Sequence, residues 1–128
     1  MTLRVALVVP DRELWSGPAR IVIAKTTEGD IGVLSGHSPV FGILAEGSVV
    51  EILTEEAEVR AAVSGGFFSV ADDQVSILAG QAQLGAEVDL EVARRELATA
   101  LAEAPPGGEE PAEAKYAKAL LRAAGDQA

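Results

Sequence analysis

The sequence predicts a β-plus-α fold: an all-β N-terminal sandwich followed by a C-terminal α-helical hairpin. Three observations predict it. Apolar residues alternate with others at period two through the first two thirds of the chain, turn residues interrupt that pattern at short intervals, and the apolar period lengthens to a helical one after Gly85. The expected division is 1–86 for an antiparallel β-sandwich and 87–128 for a two-helix tail, with a Pro/Gly linker at 104–111.

The strands follow in order. Leu3, Val5, Leu7 and Val9 point one way, with Thr2 and Arg4 among the others. Ile21 and Ile23 alternate with Arg20, Val22 and Ala24, and Val49, Glu51 and Leu53 alternate with Val50, Ile52 and Thr54. Val59, Ala61 and Val63 continue the pattern, then Phe68 and Val70, then Val75 and Ile77. β-Branched residues at period two describe half-buried strands. Ser16-Gly17-Pro18, Glu28-Gly29-Asp30, Ser35-Gly36, Glu46-Gly47-Ser48, Gly65-Gly66, Asp72-Asp73 and Gly80 mark turns between them. Gly65-Gly66 reads as a strand-to-strand bend or bulge needing positive φ.

Beyond Gly85, Asp89 is a candidate N-cap with Glu91 in the positive first turn. Leu90, Ala93, Leu97, Ala100 and Leu101 form one apolar stripe, with Arg94, Arg95 and Glu96 off it, so a helix is expected over 89–103. Pro105-Pro106-Gly107-Gly108 stops it. A second helix starts at Pro111 or Ala112 and lines Tyr116, Ala119 and Leu120 along one side, with Gly125 at its end. Its expected length is about 13 residues, or about 20 Å. A thin Ala/Leu stripe buries little area, so the tail is expected to detach at modest cost.

Composition narrows the function. The 128 residues carry a net charge of −10, which disfavours nucleic acid and anionic lipid as partners. With no cysteine, there are no disulfides, thiolate nucleophiles or cysteine metal sites, and the single histidine, His37, leaves no metal-ligand spacing. The apolar start, Met1 to Pro10, reads as a first strand rather than a signal peptide, and no run reaches the roughly 20 apolar residues of a membrane helix. A small hydrolase built on His37 with Ser35 or Ser38 lacks a G-x-S-x-G elbow and further partners. No phosphate-loop or dinucleotide glycine pattern occurs. The run Glu55, Glu56, Glu58 and the pair Asp72-Asp73 read as solvated turns. Trp15 reads as strand-edge packing or a partner anchor. The residues alone therefore indicate a non-catalytic interaction or regulatory module. A free-standing ligand-binding sandwich is the alternative, disfavoured by 4% aromatics.

Several segments carry a resemblance. Gly29-Asp30-Ile31-Gly32-Val33-Leu34-Ser35-Gly36-His37-Ser38-Pro39-Val40 looks like the acidic-Ile-Gly-Ile/Val-Leu-Pro-Gly-His-Ala-Pro-Leu segment of the epsilon-subunit family of rotary, proton-translocating F-type ATP synthases. Trp15-Ser16-Gly17, Val63-Ser64-Gly65-Gly66-Phe67 and Val75-Ser76-Ile77-Leu78-Ala79 resemble its other motifs, in family order over about 15–90. The resemblance implies a central-stalk rotor subunit of the bacterial type. It would bind the gamma subunit and the c-ring and lie on the cytoplasmic side of the plasma membrane as a peripheral part of the complex. It implies a c-ring contact for Asp30 and His37, carried on one loop at the sandwich end. It also implies a tail that folds on the sandwich or extends beside gamma to block rotation in the hydrolysis direction. Lys115, Lys118 and Arg122 form one basic face, either solvated or meeting an acidic helix of the catalytic alpha/beta subunits.

Some relatives bind ATP through an Ile/Leu-Asp-x-x-Arg-Ala motif. Here the run is Val88-Asp89-Leu90-Glu91-Val92-Ala93, with Val92 in the arginine position, where an apolar side chain cannot pair with phosphate. Arg94 and Arg95 are the nearby cations, each expected on a different helical face from position 92. No cofactor is expected, and ATP would be a regulatory ligand only through this incomplete motif. The Gly/Pro-rich linker is longer than in relatives and the second helix short.

Overall fold

The computed structural model describes residues 2–125. Ten strands come first: β1 (Leu3–Val9), β2 (Arg12–Ala19), β3 (Ile21–Thr26), β4 (Gly29–Leu34), β5 (Val40–Leu44), β6 (Ser48–Leu53), β7 (Glu58–Val63), β8 (Gly66–Ala71), β9 (Gln74–Ala79) and β10 (Ala82–Leu84). A 3₁₀ turn at Gly85–Glu87 leads to the helices α1 (Leu90–Ala102) and α2 (Ala112–Ala123). The tail residues 126–128 of the expected second unit lie outside the described residues.

The strands form one folded ladder in the order β10-β7-β6-β3-β5-β8-β9-β1-β2, with β4 paired to β3. Its narrowest joint is the single pair Thr26–Leu44 between β3 and β5. Folding there brings two layers face to face, β4-β3-β6-β7-β10 and β5-β8-β9-β1-β2. Leu3, Val5, Leu7, Val22, Val50, Ile52, Phe68, Val70, Val75 and Ile77 from both layers are buried in one cluster. Burying each such side chain contributes about 1.5–3 kcal/mol. The β-sandwich followed by two helices matches the expected fold class, and Gly65 and Gly66 take the expected positive φ.

Pairing is antiparallel as expected, with one departure: β1 runs parallel to β9, from Arg4 opposite Gln74 to Val8 opposite Leu78. Parallel neighbours need a long connection, and seven strands separate these two in the chain. Side-chain alternation reports which face is buried and carries no information on partner direction.

The helices stack in sequence on the sandwich. α2 packs on β6, β7 and the 3₁₀ turn, and α1 packs on α2. Ala119, Leu120, Leu121 and Ala123 of α2 share an apolar cluster with Ala62 of β7 and Ala93 of α1. α2 is thus covered on two sides, and Ala114, Ala117 and Leu121 are buried beyond the expected Tyr116 side. α1 buries only Ala93 fully, and Leu101, expected in the apolar stripe, is 46% exposed.

Candidate functional site

The loop between β4 and β5 opens with a tight turn. The His37 amide donates to the Leu34 carbonyl at 3.1 Å, and Gly36 sits at φ +87°. That is the pattern of a type II turn with Ser35 at its first central position and Gly36 at its second. The opposite hairpin turn, between β8 and β9, places Asp72 and Asp73 at φ 50° and 62°. Two consecutive left-handed residues make a type I′ turn, which aspartate tolerates better than most side chains. The turn brings the Asp73 carboxylate across to the loop. The Ser35 hydroxyl donates to Asp73 Oδ2 at 2.8 Å, and the Gly36 amide donates to Asp73 Oδ1 at 2.7 Å. The Gly36 amide, then the Ser35 hydroxyl, hold the Asp73 carboxyl below its ordinary range.

His37 is half-buried, with Nδ1 2.7 Å from the Ser38 carbonyl oxygen. A carbonyl only accepts, so Nδ1 carries the proton in that contact. Ser35 directs its hydroxyl to Asp73, and His37 turns to its neighbour's backbone. The histidine does not stand between serine and carboxylate, so these residues do not assemble a nucleophilic triad.

Asp30 does not share that loop. It is the second residue of β4, opposite Lys25 in register, whereas His37 lies three residues past Leu34, the last residue of β4. The strand between Asp30 and Leu34 spans about 13 Å. The expected single loop carrying both residues is therefore corrected, because an extended strand separates them. They mark the two ends of β4, which pairs with β3 and no other strand among the described residues.

A third feature escaped the alternation pattern. On the outer side of β5, β8 and β9, Phe41 is 68% exposed, Ile43 51%, Phe67 48% and Leu78 50%. Ile43, Phe67 and Leu78 are direct cross-strand neighbours, and the Phe41 and Phe67 rings stack at 5.6 Å. Contiguous exposed apolar side chains on a folded sheet mark an interaction surface. The signal was present in Phe67-Phe68, Ile43-Leu44 and Ile77-Leu78, adjacent apolar residues that face opposite sides of one strand.

In the tail, the basic residues meet the sandwich and linker. Lys115 Nζ lies 3.3 Å from Glu46 Oε1, Lys118 pairs with Glu110, and Arg122 donates to the Gly47 carbonyl at 3.3 Å. Asp89 Oδ1 accepts from the Glu91 and Val92 amides at 3.0 and 3.2 Å, so its carboxylate caps α1. Arg95 lines a cleft between α1 and the linker together with Val92, Thr99 and Pro105. The expectation that both nearby arginines lie on other faces from position 92 is corrected for Arg95, three residues on and one turn along the same side. Arg94, two residues on from position 92 and so about 200° around the helix, is exposed on a different face as expected. Trp15 packs against the core from β2 and lines a cleft with Val59, Gly85 and Ala123, where the end of α2 meets the sandwich.

Residues 2–85 match the family described as the ATP synthase delta/epsilon chain, beta-sandwich domain. The chain is 53% identical over 125 residues to the ATP synthase epsilon chain of Thermobifida fusca, covering 95% of this chain and 91% of that one. It is 46% identical over 120 residues to the ATP synthase epsilon chain of Streptomyces coelicolor, covering 94% and 97%. Among solved structures, a chain in the cryo-EM structure of the Euglena gracilis mitochondrial ATP synthase OSCP/F1/c-ring superposes with a TM-score of 0.76 at 25% identity, covering 97% of this chain and 79% of that chain. A chain of the Tetrahymena thermophila mitochondrial ATP synthase central stalk/c-ring shares the fold, with a TM-score of 0.58 at 16% identity, covering 97% and 91%.

Proposed function

This chain belongs to the epsilon-chain family of ATP synthases, and on that premise we propose that it is a central-stalk rotor subunit that couples proton translocation to ATP synthesis without chemistry of its own. The observation that carries this reading is the uncharged apolar face of Phe41, Ile43, Phe67 and Leu78 on a chain with a net charge of −10. Leaving four large apolar side chains in water is unfavourable, and covering them against gamma removes that cost. Rigid packing of two layers around a Val/Ile/Leu core is what torque transmission requires.

The c-ring contact belongs, on this reading, to β4. Asp30 and His37 reach the ring together when the strand lies along it, one residue at each end. No helix among the described residues is long and apolar enough to cross a membrane. The subunit would be held peripherally on the cytoplasmic side of the bacterial plasma membrane, through the complex. In the folded tail, α2 presents its basic residues to Glu46, Gly47 and Glu110. Release would free Lys115, Lys118 and Arg122 for acidic helices of the alpha/beta subunits and brake hydrolysis.

The test is a pull-down of the tagged full chain from native membranes with mass spectrometry of the partners. Gamma, the catalytic subunits and the c-subunit are expected with the native chain. The double variant Phe41→Asp/Phe67→Asp is expected to lose gamma. Recovery of the native chain alone, under conditions that keep the synthase intact, would sink the rotor reading and favour a free-standing ligand-binding sandwich.

A further inference from the structure

We propose that Asp73 is a positioning residue for the His37 loop: the β8–β9 turn clasps the type II turn between β4 and β5 and holds it in the shape that meets the c-ring. The proposal rests on the reading of His37 as a c-ring contact and adds the group that fixes its loop.

The argument starts from turn chemistry. The first central position of a type II turn favours proline, whose ring presets φ and removes conformational freedom from the open loop. This chain has Ser35 there, which presets nothing. The missing restraint is supplied from another element. Ser35 Oγ and the Gly36 amide, the two central residues of the turn, converge on the two oxygens of one carboxylate at 2.8 and 2.7 Å. A carboxylate is acceptor-only and takes both donors at once, with charge-assisted strength.

The far side of the clasp is itself anchored. Asp73 is the second left-handed residue of its hairpin, and its carbonyl accepts from the Arg4 amide of β1 at 2.8 Å. Aspartate in this region is strained relative to glycine. The strained turn places the Asp73 carboxylate within reach of the loop. Burial is only partial at the clasp, since Gly36 is exposed and Ser35 and Asp73 are half-buried. The clasp therefore governs the local shape of the loop more than the stability of the sandwich.

The experiment uses the assembled ATP synthase in membranes. Cysteines are absent from this chain, so Ser38→Cys gives a single exposed attachment point for a photoreactive maleimide beside His37. The readout is the yield of cross-link to the c-subunit, in four backgrounds: the native loop, Asp73→Ala, Ser35→Pro, and both together. The native loop is expected to cross-link, Asp73→Ala to lower the yield by roughly fivefold, and Ser35→Pro to restore the double variant to within about twofold by locking φ covalently.

A yield unchanged by Asp73→Ala overturns the positioning role and leaves the c-ring contact standing. A loss that Ser35→Pro fails to restore, with the melting temperature of the variant lowered, reduces Asp73 to a fold residue and also overturns the proposal. Absence of any c-subunit cross-link from the native loop, in an intact complex, overturns the c-ring reading and the proposal with it.

Discussion

Asp89 shows how one carboxylate changes meaning between motif and structure. In the sequence it is, with Ala93, one of the two matched residues of an incomplete nucleotide motif. In the fold its Oδ1 accepts the Glu91 and Val92 amides, two of the orphan donors of α1. Asp89→Ala is expected to cost about 1 kcal/mol through the lost cap. Thermal unfolding and amide exchange over the first turn of α1 measure it. Full stability and full protection of Glu91 and Val92 in the variant would show that the cap contributes nothing. This residue was legible in advance, because N-capping depends on neighbours two and three positions away. Asp73 was not. Its partners Ser35 and Gly36 lie 38 and 37 residues away in the chain. An Asp-Asp turn looks the same whether its carboxylates meet water or another loop.

At the scale of elements, α2 lies close on the sandwich because two glycines leave room for it. A methyl group at Gly47 would stand 2.5 Å from the Lys115 carbonyl carbon, and one at Gly85 would overlap the Ala123 carbonyl oxygen. The two contacts grip α2 near its start and at its end. Gly85→Val is therefore expected to lift the end of α2, with an overpacking cost of about 1–3 kcal/mol. Trp15 lines the same cleft as Gly85 and Ala123 and is the chain's single tryptophan. Its emission should shift to longer wavelength as α2 lifts and water enters. An unshifted spectrum with an unchanged melting temperature would contradict the close fit. The apolar period announced α2 itself. The depth of its burial was hidden, since Ala114, Ala117 and Ala119 say as little about a buried helix as about an exposed one with good propensity.

At the scale of the whole molecule, the basic face of α2 would, on the proposed rotor reading, serve two competing states. In the folded tail, Lys115 meets Glu46, Lys118 meets Glu110 and Arg122 meets a carbonyl, all partly open to water. Exposed ion pairs contribute up to about 1 kcal/mol each, so reversing their charge changes the folded state only modestly. A contact with an acidic partner helix would lose attraction and gain repulsion, a larger effect. Lys118→Glu/Arg122→Glu is thus expected to raise the ATP hydrolysis rate of the assembled complex, measured by phosphate release. An unchanged rate would remove the braking role of this face. What the sequence by itself determined is local: six segments of alternation, most of the turns between them (Ser16-Gly17-Pro18, expected as a turn, runs on inside β2), the helical period after Gly85, the cap and the Pro/Gly stop. Each depends on residues within a few positions, where sterics and hydrogen-bond geometry act directly. Tertiary structure alone decided the parallel pairing of β1 with β9, the separation of Asp30 from His37 by the length of β4, the outer face of Phe41 and Phe67, and the clasp of Asp73 on Ser35. Those are relations between segments far apart in the chain, and they exist only once the common core has fixed where each strand lies.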